Sequence, residues 1–274
     1  MKREIELERR LRSLQGLGEA VGAMKSLSAH HFREARRAVG TAGRYRDGLE
    51  RIAGWAGASL PAADGGAGLL VIGAELGLCG GYNAQLVEPG TKQRKALGEG
   101  PTFCVGRRAA IQLGRRDVTV TRTYPGPTGV QGITGLLVEL AQDMLTTYAA
   151  EDLSSFDIVS STFAGVGKTT PSTSRLLPIA PRGDDDSRSA RYAQPDHFVR
   201  TVIREFLYIT LYDLLVDGLA SEHGARLTAT EAAKSWLDER SERLRRHLLS
   251  TRREAATQEM LEIVAGARAR GDDE

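Results

Sequence analysis

Aromatic residues are scarce in this chain, at 5% of 274 residues, which is low for a compact enzyme core. No sign of charge dominates either: 37 Lys and Arg against 35 Asp and Glu leave a net +2. The basic excess that marks nucleic-acid binders is therefore missing. The two cysteines, Cys79 and Cys104, lack metal-type spacing and fit a reducing cytosolic compartment. No signal peptide is expected, because Met1-Lys2-Arg3-Glu4-Ile5-Glu6 is charged throughout. Nor is a membrane span expected. The most apolar stretch, Phe198 to Ala220, carries Arg200, Arg204, Glu205, Asp213 and Asp217, and each charge would cost a few kcal/mol in lipid. It reads instead as a helix buried in protein on several faces.

Proline is absent after Pro195. A stretch free of the strongest helix breaker can remain helical from Asp196 to Arg270, on the order of 110 Å at 1.5 Å per residue. Such a helix cannot be packed inside a domain of this size. Its lower half carries Leu237, Ser241, Leu244, Leu248, Thr251 and Ala255 at alternating steps of four and three, the coiled-coil repeat. A second long helix is expected over residues 1–57. Its seam runs Leu14, Leu17, Val21, Met24, Ser28, His31, Ala35, Ala38, Ala42, Tyr45, Leu49, Ile52. Gly16, Gly18, Gly22, Gly40, Gly43 and Gly48 weaken that helix by about 1 kcal/mol each relative to alanine, so it needs a partner. The C-terminal helix is the one of matching length, and an antiparallel coiled coil is the expected pairing. Beyond the seam, Met260, Leu261, Ile263 and Val264 make the final turns apolar on more than one face, the mark of a helix end that is covered by another protein.

Between the helices the pattern changes. Ala58 to Gly68 is a linker with Pro61. Short apolar runs at 68–73, 102–105 and 155–163 read as strands, and Val118 to Tyr124 alternates like one. Leu176 to Ile179 fits an edge strand, where Pro178 is tolerated. Helices are expected over 84–97, 107–114 and 134–149, and Gly183 to Ser189 is a polar loop. This alternation gives a mainly parallel, Rossmann-like α/β sheet. The domains are then 1–57, 58–195 and 196–274, an α/β domain inserted into an antiparallel coiled coil.

Three motifs could carry chemistry. Gly165-Val166-Gly167-Lys168-Thr169-Thr170 resembles the end of a phosphate-binding loop, but Thr162 stands where the first glycine belongs, and Pro171 follows where a helix must open. It reads as a surface loop. Gly77, Gly80 and Gly81 follow a strand but miss the dinucleotide spacing, so a tight turn with close backbone approach is expected. Cys79 as a nucleophile needs a base, and His30, His31, His197, His223 and His247 all lie on the long helices. His30 and His31 are adjacent, which points them to different helix faces and makes them a poor metal pair. No catalytic constellation, cofactor site or metal site is expected. The arginines between 240 and 253 form a solvated face or a surface for an acidic protein partner.

Four blocks, in order along the chain, resemble the gamma subunit of F-type ATP synthases. They are Ala23-Met24-Lys25 with Arg33 through Ala38; Gly77-Leu78-Cys79-Gly80-Gly81-Tyr82-Asn83; Ser221-Glu222-His223 with Ala225, Arg226 and Ala229; and Thr257-Gln258-Glu259-Met260-Leu261-Glu262-Ile263-Val264-Ala265-Gly266-Ala267. Glu75 and Leu76 stand where that family has aspartate and arginine. The resemblance implies a non-catalytic rotor, a shaft through a hexamer of alpha and beta subunits with its foot beside the epsilon subunit and the membrane c-ring. The complex then lies peripherally, on the cytoplasmic face of a bacterial inner membrane. It implies partner contacts at Met24, Lys25, Arg252, Thr257, Gln258, Glu259, Leu261, Ile263 and Val264, with Met24 and Lys25 facing Arg252 and Gln258 nearby. The glycine turn from Gly77 to Asn83 belongs to the foot. Two alternatives stay open: the rotor of a sodium-moving F-type ATPase, and a coiled-coil scaffold carrying a nucleotide-binding α/β module.

Overall fold

The computed structural model describes residues 2–55, 64–178 and 195–271. Helix α1 runs Lys2–Trp55 and α5 runs Pro195–Gly271. Most of the expected linker, with Pro61, lies outside the described residues, as do Ile179 and the polar loop from Gly183 to Ser189. By contact the chain divides into two compact units, Met1–Ser26 with Thr230–Glu274, and Leu27–Ala229.

The second unit holds β1 (Ala67–Ile72), α2 (Tyr82–Leu97), β2 (Thr102–Val105), α3 (Arg107–Gly114), β3 (Arg122–Tyr124), α4 (Ile133–Ala150), β4 (Ser155–Gly165) and β5 (Lys168–Leu177). The sheet order is β3-β2-β1-β4-β5. Its first four strands are parallel, and β5 is an antiparallel edge. Central strands covered on both faces read as continuous apolar runs, and β1 and β2 are buried at every position. Alternate residues then sort the faces. Leu69, Val71, Cys104 and Val159 pack on Leu86 and Val87 of α2 and Ala109 and Leu113 of α3. Leu70, Ile72, Phe103, Val105, Phe156 and Ile158 pack on α4, on Ala35 and on the upper part of α5.

That part of α5 is the apolar stretch noted in the sequence. Leu207, Leu211, Leu215 and Leu219, one turn apart, are buried in this core. Each contributes roughly 1.5–3 kcal/mol by leaving water. Here α1 and α5 meet antiparallel: Arg46 pairs with Asp213, and the His31 and His223 rings lie 5.2 Å apart.

Two expected strands differ. Only Arg122–Tyr124 of the alternating run pairs, on the outer side of β2. The edge strand begins at Lys168, much earlier than expected, and places Pro171 opposite Ser161. The phosphate-loop look-alike is thus the tip of the β4–β5 hairpin. Gly167 has φ +71°, and a Cβ there would lie 2.5 Å from Thr228 Oγ1 on α5, so the tip rests on that helix.

The first unit is a two-helix antiparallel pair. Leu7 and Val21 of α1 are buried with Leu237, Ser241 and Leu248 of α5, and Lys25 pairs with Glu231. Two seam positions of this unit are corrected, Leu17 and Ala255, which are both exposed. Leu17 is 56% exposed, and Gly18 faces the partner in its place, lining a groove with Leu14, Gly22, Leu237 and Ser241. From Leu14 the repeat steps four to Gly18 and three to Val21, so the leucine is turned outward. Tyr45, in the second unit, is likewise exposed.

Candidate functional site: the glycine turn and the helix pair

The glycine turn is held by a buried polar lock. Leu78 and Gly80 take left-handed backbone, φ 61° and 57°, which turns the chain sharply between β1 and α2. Arg226 of α5 is 1% exposed. Its Nε donates to the Gly77 carbonyl at 3.0 Å and its Nη2 to the Leu76 carbonyl at 3.3 Å. It also pairs with Glu222 one turn back, and Nη1 donates to His223 Nδ1 at 3.1 Å. The other ring nitrogen of His223 lies 3.3 Å from the Thr128 carbonyl, to which it donates. Burial, with Arg226 and His31 beside it, holds the His223 pKa down to about 3, so the ring is neutral and can accept from Arg226. Burial also pushes the Glu222 carboxyl up, against the pull of Arg226.

The same turn is tied from its own side. Asn83 Oδ1 accepts from the Ala74 amide at 2.9 Å, and the buried Tyr82 hydroxyl donates to the Gly218 carbonyl at 3.1 Å. Glu75 accepts the Arg107 and Gly126 amides, each at 3.0 Å, and pairs with the Arg107 guanidinium. The Cys79 thiol is buried, which pushes its pKa up. Its partners are the Leu76 carbonyl and the Asn83 amide, both at 3.8 Å. A thiol so placed is a poor nucleophile. The carbonyls at the turn meet a guanidinium, so the chemistry of this place is the docking of a turn onto α5.

The remaining predicted contacts lie in the two-helix unit. Arg252 bridges Glu4, at 2.6 Å, and Glu8. The expectation that Met24 and Lys25 lie beside Arg252 is corrected. Lys25 sits opposite Glu231, so the antiparallel register sets Arg252 against the first two turns of α1. Met24 is 16 residues further along α1 than Glu8, about 24 Å at 1.5 Å per residue. Thr257 donates to the Arg253 carbonyl and Gln258 to Glu262, and both are exposed with Glu259. Met260, Leu261, Ile263 and Val264 are 66%, 61%, 66% and 44% exposed. The Arg226 lock was missed as a physical device in the sequence. Its one signal is the i,i+4 pair Glu222 and Arg226 in the part of α5 whose neighbours Leu219, Ala220 and Ser221 are buried.

Among the described residues no helix is long and apolar enough to cross a membrane. A family model described as ATP synthase matches residues 4–269. The ATP synthase gamma chain of Moorella thermoacetica is 31% identical over 96% of this chain and 97% of its own length. That of Pelotomaculum thermopropionicum is 29% identical, over 96% and 98%. In fold, the chain is similar to one in the cryo-EM structure of Euglena gracilis mitochondrial ATP synthase with OSCP, F1 and c-ring, with TM-score 0.71, 15% identity, and 98% and 94% coverage. Another, from the central stalk and c-ring of Tetrahymena thermophila mitochondrial ATP synthase, gives TM-score 0.59 and 17% identity over 78% of this chain and 99% of that one. The buried turn, the two long helices and these likenesses agree: the chain belongs to the ATP synthase gamma-chain family.

Proposed function

We propose that this chain is the central-stalk rotor of an F-type ATP synthase. It catalyses nothing itself and couples ion flow through a c-ring to the conformational cycle of catalytic beta subunits. The observation that carries this reading is the end of α5. Past the last pairing of Arg252 with Glu4 and Glu8, the helix continues with Met260, Leu261, Ile263 and Val264 exposed. An apolar end of this kind calls for a surrounding sleeve, which the tops of alpha and beta subunits supply. Apolar contact is non-directional and scales with area, so it centres a turning shaft with little angular preference.

The polar residues of the shaft act as stops. Lys25, Arg252, Thr257, Gln258 and Glu259, with Met24 next to Lys25, meet the catalytic subunits, and the partly wet bonds of the polar ones, charge-assisted at Lys25, Arg252 and Glu259, are made and broken once per turn. Arg252 is already in such a bond with Glu4 and Glu8, at a surface where another carboxylate can compete. Residues 58–195, with the turn from Gly77 to Asn83, form the foot that meets the epsilon subunit and the c-ring. The subunit is peripheral, and the bacterial relatives support a place on the cytoplasmic face of a bacterial inner membrane.

The test is purification of the native complex through a tag on this chain. Alpha and beta subunits should be recovered with a single copy of it per hexamer. Deleting the chain after Ala256 should weaken assembly and torque and leave ATP hydrolysis in place. Recovery of the chain alone with bound nucleotide would favour a scaffold with a nucleotide-binding module.

A further inference from the structure

On α1, within the α/β-containing unit, Glu34 stands four residues after His30 and three after His31. Its carboxylate therefore reaches both rings. Oε1 lies 3.5 Å from His30 Nε2 and Oε2 lies 3.4 Å from His31 Nδ1. The three ligand atoms all lie within 4.8 Å of one another. Adjacent histidines were expected to point to different helix faces, yet their ring centroids are 5.3 Å apart, and the acid closes the gap between them. Around a tetrahedral zinc ion, ligands at about 2.0–2.1 Å stand roughly 3.3 Å apart. Each imidazole nitrogen stands near that spacing from a different oxygen of the Glu34 carboxylate, and the exposed His30 side chain has room to adjust around an ion.

The surroundings hold one of the ligands in place. His31 is half-buried and packs on the His223 ring at 5.2 Å. A Cβ at residue 129 would come within 2.9 Å of His31 Nδ1, so only the glycine there lets that ring sit as it does. Behind His223, Arg226 is paired with Glu222.

We propose that His30, His31 and Glu34 form a site for a zinc-class divalent cation, with solvent completing the coordination. Two imidazoles and one carboxylate are a donor set zinc takes. The site does not depend on the rotor reading, because all three ligands lie on one helix of one chain.

The test is titration of the purified full-length chain with cobalt(II), read by the visible spectrum of a low-coordinate complex, followed by competition with zinc. One cobalt(II) should bind per chain. Glu34→Gln, close in shape to the native residue, and His31→Ala should each weaken binding by about tenfold or more, at least the loss typical of a supporting partner. His197→Ala and His247→Ala should bind as the native chain does. Circular dichroism confirms that each variant is folded. Absence of binding by the native chain would overturn the site, as would binding by folded Glu34→Gln and His31→Ala that matches the native chain.

Discussion

Replacing Arg226 with methionine keeps the length of the side chain and removes the guanidinium. The Gly77 and Leu76 carbonyls then lose their donor, and Glu222, 7% exposed, keeps a carboxylate with its counter-ion gone. Breaking a buried pair from one side costs about 3–5 kcal/mol. Glu222 can limit that loss by taking up a proton. Its pKa is already raised by burial, and loss of Arg226 raises it further. A carboxyl with a raised folded pKa disfavours the folded state as pH rises above its unfolded value, until pH reaches the folded pKa. Each unit of the gap adds about 1.4 kcal/mol. The variant should therefore be more destabilised at pH 8 than at pH 5. Adding Glu222→Leu removes the stranded charge and should recover much of the loss. Urea unfolding of the full-length chain, followed by circular dichroism at both pH values, measures all three effects. A loss under about 1 kcal/mol in the single variant, or a double variant as unstable as the single, would refute the lock.

Burial lifts the Glu75 carboxyl, but the amides of Arg107 and Gly126 and the Arg107 guanidinium outweigh it and hold its pKa below the usual value. That stabilisation is complete above the unfolded carboxylate pKa and is lost as pH falls through the folded one. Glu75→Gln should thus flatten the acid limb of stability against pH, and an unchanged limb would count against the assignment. Gly16 and Gly22 on α1 have nothing within 4 Å of an added Cβ, so Gly→Ala at either should raise the melting temperature, by a gain of about 0.8–1 kcal/mol. Gly167→Ala should lower it, because of its φ of +71° and the contact with Thr228, and the opposite ranking in thermal unfolding would contradict this account.

Much of the fold is legible in the sequence because its signals are periodic. The long proline-free stretch and the 3.5-residue repeat yield α1 and α5, and the apolar runs at 68–73 and 102–105 yield β1 and β2. The failures share a cause, which is that hydrophobic pattern does not report geometry. It favours Leu17 as a seam residue where the helix register presents Gly18. It passes over β5, whose Lys168-Thr169-Thr170-Pro171-Ser172-Thr173-Ser174-Arg175 is polar and is a strand only because β4 pairs with it. The Arg226 lock joins positions 149 residues apart in sequence, and no local repeat carries that information. The same holds for register along α1 and α5. The seams show that the helices pair, while the opposition of Lys25 to Glu231 appears only when they are docked.

The central claim is that this chain turns. Ile111 is 53% exposed on α3, whereas Cys79 and Cys104 are buried. An Ile111→Cys variant can therefore carry a probe on one thiol while the native two stay unlabelled. With the alpha and beta hexamer fixed to a surface, the account predicts continuous rotation of the probe in one direction on addition of ATP, stopping when ATP is removed. Steady ATP hydrolysis by a complex that contains the labelled chain, with the probe stationary, would contradict it.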